Sequence, residues 1–268
     1  MTRDGAKRVL LLTTPSSYRT EAFLHAARRI GVEVVQAVDL PAPLSREWNV
    51  PLGLDFARPV EAAERIVNYV ADHRPFHAII SVDDSATVLA AMASARLGLP
   101  SNAPESALAA RDKLRMRELL AEHGVPVPVF HRFAAMIEPA EVAPMVDYPC
   151  VVKPTRLSGS RGVIRADDEA EFVAAFERTR RIIEAEGHAL ATADVLVEAF
   201  VPGFEVAVEG LLTADGLQVL AIFDKPDPLD GPFFEETIYV TPSRLSVGSQ
   251  AAIADCTARG AAALGLRH

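Results

Sequence analysis

Over its first hundred residues the chain alternates short apolar runs with longer stretches whose apolar positions recur every three or four residues. Val9–Leu12 is uninterrupted and apolar. It predicts a buried strand over Arg8–Thr14, ending in the turn sequence Thr13-Thr14-Pro15-Ser16-Ser17. Helical spacing over Glu21–Ile30 stops at Gly31, and Val32–Val38 reads as a second strand. Arg58–His73 places Val60, Ala63, Ile66, Val67 and Val70 on one helix face. His77–Val82 is a third strand closing on Asp83-Asp84, and Ser85–Leu97 is an Ala-rich helix ended by Gly98. Apolar strands separated by helices predict an α/β domain with a doubly wound parallel sheet. The turn after the first strand lacks the glycine fingerprint, so a dinucleotide is not expected there. Asp83 and Asp84 stand where open α/β sheets place ligands, beyond a strand's carboxyl end. A helix-capping role for at least one of them is the preferred reading.

The pattern changes at Leu99-Pro100-Ser101-Asn102-Ala103-Pro104, a proline-punctuated turn cluster and the candidate domain boundary. A charged helix is expected over Glu105–His123, stopped by Gly124, with Val125-Pro126-Val127-Pro128 as an extended connector. Beyond it, strand pairs joined by Gly-containing turns replace the strand–helix alternation, and no internal repeat or low-complexity tract appears.

Composition narrows the class. A chain of 268 residues, half of them hydrophobic, has material for two domains. Its net charge of −9 argues against general nucleic-acid binding, which needs clustered Lys and Arg. A small anion is still admissible, because salt screens distant charge beyond about 8–10 Å. Cys150 and Cys256 read as free thiols, with no Cys/His cluster for zinc. The apolar run after Arg3, Lys7 and Arg8 is too short for a signal segment or a membrane span, so no membrane partner and a cytoplasmic location are expected. Of 27 cationic residues only four are lysines: Lys7, Lys113, Lys153 and Lys225. A lysine kept in an arginine-rich chain suggests a place where a compact charge on a flexible stem is needed.

Three segments carry candidate chemistry. In the first, Cys150–Val152 is strand-like and ends in Lys153, a charge that is costly at a buried strand end unless it is used. Ser158-Gly159-Ser160-Arg161-Gly162 follows, a loop small enough for backbone N–H groups to approach phosphate oxygens, and Val163–Arg165 resumes a strand. This is not a Walker A loop, and a plain Gly-rich hairpin has the same look. In the second, Glu198 closes one strand and Glu205 opens the next around Pro202-Gly203. The two strands are expected to meet at that turn and bring their ends to one sheet edge, where a carboxylate can accept paired hydroxyls and the backbone beside Phe200 and Val201 can read a base edge. Exposed surface glutamates are the bland alternative. In the third, Lys113 follows Asp112 on the charged helix, where a solvated face is the competing reading.

In this order and spacing, the segments resemble the ATP-grasp superfamily over almost the whole chain. The resemblance rests on the Asp112-Lys113 helix, the Gly124-Val125-Pro126-Val127-Pro128 connector, Lys153, the Gly-rich loop, and Glu198, Gly203 and Glu205. It implies a doubly wound pre-ATP-grasp domain over 1–102, followed by an incomplete α+β ATP-grasp fold. That fold would comprise one subdomain over 103–199 and the start of a second over 200–268. ATP is the implied cofactor. Lys113 and Lys153 would hold its phosphates, and Ser158, Gly159, Ser160 and Gly162 would fold over them. Glu198, Phe200 and Val201 would meet adenine, and Glu205 the ribose. Some relatives carry lysine where Ala199 stands here. The stretch Phe223–Ser243 most resembles L-amino-acid ligases, with Lys225, Glu235 and Glu236 toward the substrate end.

The same resemblance implies Mg2+, with acidic ligands, often joined by an asparagine, expected beyond His268. The chain therefore reads as a fragment that binds nucleotide and is inactive alone. A carboxylate–amine ligase acting on small-molecule carboxylate and amine substrates is the leading reading, with a homodimer as an admitted assembly. A biotin-carboxylase-like enzyme and a non-catalytic nucleotide-binding module are the alternatives.

Overall fold

A computed structural model of the chain describes residues 5–235 and 237–267. The chain divides into two compact units, one running to Leu108 and rejoined from Gly265, the other Ala109–Leu264. The division falls within a helix, Pro104–Arg111, labelled α5 below.

In the first unit the order is β1 (Arg8–Thr13), α1 (Thr20–Arg29), β2 (Glu33–Asp39), α2 (Ala42–Glu47), β3 (Leu52–Leu54), α3 (Pro59–Ala71), β4 (Ala78–Ser81) and α4 (Thr87–Arg96). The strands pair in parallel in the order β3-β2-β1-β4. Successive strands run outward from β1 and then cross to its other side, as in a doubly wound sheet. The apolar run of β1 occupies the centre, with Leu10 and Leu12 fully buried. Leu54, Ile66 and Leu89 complete the same core. Gly53 lets β3 approach the chain before it, because a Cβ there would lie 2.6 Å from Ser45 Oγ and 2.7 Å from the Leu40 carbonyl. The C-terminal segment returns to this unit: Arg267 N–H donates to Asn102 Oδ1 at 2.7 Å, and Ser106 Oγ donates to the Gly265 carbonyl at 3.1 Å.

Asp83 does not cap a helix with its side chain. Its carboxylate instead accepts from the Thr14 hydroxyl and the Ser17 hydroxyl, both at 3.0 Å, tying the β1–α1 turn to the end of β4. For Asp83 the capping reading is thereby corrected: two nearby hydroxyls compete better for this carboxylate than the backbone of the following turn.

The second unit continues with α6 (Lys113–Glu122), β5 (Phe130–Ala134), α7 (Pro139–Val142), β6 (Cys150–Pro154), β7 (Ile164–Ala166), α8 (Glu169–Ala185), β8 (Asp194–Ala199), β9 (Val206–Thr213), β10 (Gly216–Asp224) and α9 (Val247–Ala263). Strands β5-β8-β6-β7 form an antiparallel sheet, and β10-β9 form a separate two-stranded ribbon. Helix α8 buries Phe172, Ala175, Phe176, Thr179 and Ile183, spaced three and four apart. They pack with Cys150, Val152, Val195 and Val197 of the sheet. Each fully buried aromatic of that set contributes about 1.5–3 kcal/mol by removal from water.

Two expectations are corrected here. The single helix over Glu105–His123 is two helices, α5 and α6, broken at Asp112. Asp112 has extended backbone and its carboxylate accepts from Leu114 and Arg115 N–H, which makes it the start of a new helix rather than the middle of one. Secondly, the strands flanking Pro202-Gly203 do not pair with each other. β8 is central in the four-stranded sheet, whereas β9 pairs with β10. Connector 200–205 crosses from one sheet to the other.

Candidate functional site

The break at Asp112 determines where Lys113 goes. Lys113 N–H donates to the Thr155 carbonyl at 2.8 Å, and its ammonium donates to the Leu157 carbonyl. Arg156 Nε donates to Asp112 Oδ2 at 3.0 Å. The start of α6 is thus fastened to the chain just after β6, at the entrance to the Ser158–Gly162 loop.

That loop turns on three left-handed residues: Gly159 (φ 66°), Ser160 (φ 53°) and Gly162 (φ 73°). At Gly162 a side chain would also meet Pro154, its Cβ lying 3.2 Å from two ring carbons. The loop is anchored at its base. Thr179 Oγ1 on α8 donates to the Gly162 carbonyl at 3.1 Å in a buried position, and Arg161 pairs with Glu186 beyond the end of α8. Arg161 Nε also donates to the Ser158 carbonyl at 3.1 Å.

Lys153 lies on β6 beside β8, and its ammonium pairs with Glu198 Oε2. The other carboxylate oxygen accepts from Arg117 Nε at 2.6 Å. Glu198 is only 3% exposed. Burial alone would push its carboxyl up, but the Lys153 and Arg117 charges and hydrogen bonds outweigh that and hold it below the usual carboxylate range. The cluster therefore has two cations around one anion.

Beyond β8, Phe200 N–H donates to the Pro149 carbonyl at 2.9 Å, so this amide is used within the fold. The Phe200 ring lies under the Arg165 guanidinium, 4.2 Å from centroid to Cζ, and 6.5 Å from the Phe234 ring. Val201 is exposed. Glu205 meets Lys225, whose ammonium pairs with its carboxylate and lies 5.5 Å from the Tyr239 ring centroid. Asp224 is held below its usual range, first by the Arg244 N–H and then by the Ser243 hydroxyl. Glu235 is exposed, and Glu236 lies outside the described residues.

The residues after β10 form a strap between the two sheets. Asp224 bridges Val240 on the ribbon side, and Phe233 bridges Ile164 on β7. Arg165 secures the second contact: its N–H donates to the Pro232 carbonyl at 2.9 Å and its Nη1 to the Asp230 carbonyl at 2.6 Å.

The fold brings Lys113 to the loop entrance, Lys153 to Glu198, and Glu205 to Lys225. The Lys113, Lys153 and Lys225 ammoniums have protein partners, and Lys225 meets the residue expected at the ribose. Sequence reasoning missed Arg117, Arg165 and Thr179. Arg117 was findable, since it follows Lys113 by four residues and must share its helix face. Arg165 had no signal before the pairing of β7, whereas Thr179 shares the helical spacing of Phe172, Phe176 and Ile183. Among the described residues no group of three or more His, Cys, Asp or Glu is arranged to hold a metal ion; the magnesium ligands were expected beyond His268, outside these residues. No described helix is long and apolar enough to cross a membrane.

A parallel α/β unit followed by an antiparallel sheet, a separate ribbon, a strand-end lysine and an anchored glycine loop make this a protein of mixed α/β fold. The chain belongs to the ATP-grasp superfamily: the ATP-grasp N-terminal domain family matches residues 24–101, and the ATP-grasp domain family matches residues 146–268. It is 27% identical over 259 residues to a D-alanine–D-alanine ligase of Syntrophotalea carbinolica, covering 93% of this chain and 73% of that protein. The solved L-amino acid ligase of Bacillus licheniformis superposes with a TM-score of 0.79 at 25% identity, over 97% of this chain and 62% of that one. The biotin carboxylase domain of the Hydrogenobacter thermophilus 2-oxoglutarate carboxylase, solved as a dimer with MgADP, ADP and bicarbonate, superposes at 0.72 and 17% identity. It covers 97% of this chain and 59% of that one, and that likeness is one of fold. The chain thus spans about three-fifths to three-quarters of these proteins.

Proposed function

We propose that this chain is the nucleotide-holding part of an ATP-dependent carboxylate–amine ligase acting on amino acids. The observation that carries the reading is the net-positive cluster of Lys153, Arg117 and Glu198, taken with Lys113 at the entrance of an anchored glycine loop. The similarity to amino-acid ligases supports the substrate class.

In this reading Lys113 and Lys153 exchange their protein acceptors for phosphate oxygens, and the loop of Ser158, Gly159, Ser160 and Gly162, turned by its three left-handed residues, offers N–H groups to the same anion. Because the Phe200 N–H is already used, the Phe200 carbonyl and the Val201 N–H are the groups left for an adenine edge. Glu205 accepts from the ribose hydroxyls. Lys225 and Glu235 serve the substrate end, together with Glu236. The chemistry is a two-step substitution. A carboxylate oxygen attacks the γ-phosphorus and ADP leaves, giving an acylphosphate. An amine then attacks the acyl carbon, loses a proton and expels inorganic phosphate. The chain's contribution is positioning and charge neutralisation. No metal-dependent step is assigned to the described residues.

A second reading keeps the nucleotide site and makes bicarbonate the carboxylate, supported by the biotin carboxylase likeness of fold. Calorimetric titration with ATP tests the shared part: wild type binds, and Lys153→Ala loses at least about tenfold in affinity. Equal binding by both removes the nucleotide assignment. Phosphate release measured with an amino-acid panel against bicarbonate plus biotin separates the two substrate classes.

A further inference from the structure

The carboxylate of Glu198 is claimed from both sides. Arg117, reaching from α6, holds Oε1 at 2.6 Å, and Lys153 on β6 pairs with Oε2. Glu198 is 3% exposed, while the Arg117 and Lys153 side chains are 23% and 20% exposed. A carboxylate buried beside Lys153 alone would make a neutral pair. Such a pair gives an incoming phosphate no net attraction, and releasing the lysine would strand a buried negative charge. With Arg117 present the cluster keeps one positive charge in excess, and Glu198 retains a partner whichever way Lys153 points.

We infer that Arg117 is a positioning residue: it neutralises Glu198 so that the Lys153 ammonium can leave that carboxylate for a nucleotide phosphate. The inference rests on the assignment of Lys153 to phosphate, and it adds a residue that acts through another without touching the nucleotide. Arginine suits the role because its charge is permanent and its planar fork keeps a carboxylate hydrogen bond while a neighbouring lysine swings away. Helix α6 then presents two cations a turn apart. Lys113 sits at the loop entrance, and Arg117 holds the strand carboxylate.

The test is a set of titrations with ATP and with adenosine, the latter by displacement of a fluorescent adenine nucleotide. Arg117→Met is expected to weaken ATP about tenfold while leaving adenosine unchanged, because only the phosphate end is affected. Arg117→Lys is expected to recover most of the loss. The decisive comparison is made in the Glu198→Gln background. Without the carboxylate, Arg117 has nothing to neutralise, so Glu198→Gln and the Arg117→Met/Glu198→Gln double variant are expected to bind ATP equally. This pair also decides the matter if Arg117→Met alone fails to fold, since neither variant leaves a buried unpaired carboxylate. The inference is overturned by wild-type ATP affinity in Arg117→Met, by equal losses for ATP and adenosine, or by a further ATP loss in the double variant. The last result would make Arg117 a direct phosphate ligand. Wild type and Lys153→Ala are run alongside. If wild type does not bind ATP, or Lys153→Ala binds it normally, the nucleotide assignment fails. If both behave as expected and the Arg117 variants do not, only the role of Arg117 fails.

Discussion

Arg156 and Asp112 form an ion pair at 3.0 Å that uses the carboxylate oxygen left free by the helix cap. It makes Arg156 a surface fastener three residues from Lys153, with its side chain 72% exposed. The two neighbouring cations are therefore expected to differ sharply. Lys153→Ala removes a half-buried ammonium from the phosphate end and should weaken ATP at least about tenfold. Arg156→Ala loses an exposed pair of at most about 1 kcal/mol and should change ATP affinity by less than about threefold. Calorimetry on both variants decides, and comparable losses would remove Lys153 from its assigned role.

Glu205 faces Lys225, and its carboxylate is half-exposed, so a ribose can compete for it. Glu205→Gln is expected to weaken ATP about tenfold or more, about 1.5–3 kcal/mol for a hydrogen bond to a charged acceptor. The same change should leave 2′,3′-dideoxy-ATP almost unaffected, because that ligand lacks the hydroxyls. Equal sensitivity of the two ligands would place the ribose elsewhere.

The Glu198 carboxyl is held below its usual range in the folded chain, so it binds fewer protons folded than unfolded at mildly acidic pH. Its stabilisation is present above the unfolded value of about 4.3 and is lost as pH falls through the folded value below it. Urea midpoints followed from pH 7 to pH 3 should therefore fall at the acid end. Glu198→Gln should be less stable than wild type at pH 7, by about 1–3 kcal/mol, with the gap narrowing as the wild-type carboxylate protonates. A constant gap across that range would show that the pairing contributes nothing to the acid transition. Glu33 and Asp224, also held low, should leave a residual slope in the variant.

The two thiols should separate chemically. Cys150 is fully buried on β6, and burial pushes its thiol up to about 12. Cys256 is partly exposed on α9. Because the thiolate is the reactive form, a disulfide reagent at pH 8 should modify Cys256 first and Cys150 only with unfolding. A Cys256→Ser variant that reacts promptly while folded would contradict this burial.

The parallel sheet was legible because its strands are short apolar runs spaced by helices, a pattern set by burial on both faces. The glycine loop and strand-end lysine were legible for a similarly local reason. What escaped was decided by pairing partners distant in sequence. Nothing near Glu198 announces that β8 and β9 join different sheets, since a Pro-Gly turn serves a hairpin and a crossing equally well. Likewise, Asp112 inside a run of helix formers looks like one more surface acid until its side chain is seen capping Leu114 and Arg115. Helix α8 also went unread, although Phe172, Phe176, Thr179 and Ile183 fall on one helix face. Its many charges interrupt the apolar pattern and mask that spacing.

Both the 200–205 crossing and the strap across Phe233 and Val240 join the ribbon to the four-stranded sheet. Two separate connections therefore hold the ribbon to the sheet. The residues assigned to the base and ribose, Phe200, Val201 and Glu205, sit on one of them, and Lys225 begins the other, so a nucleoside gripped there would draw on both.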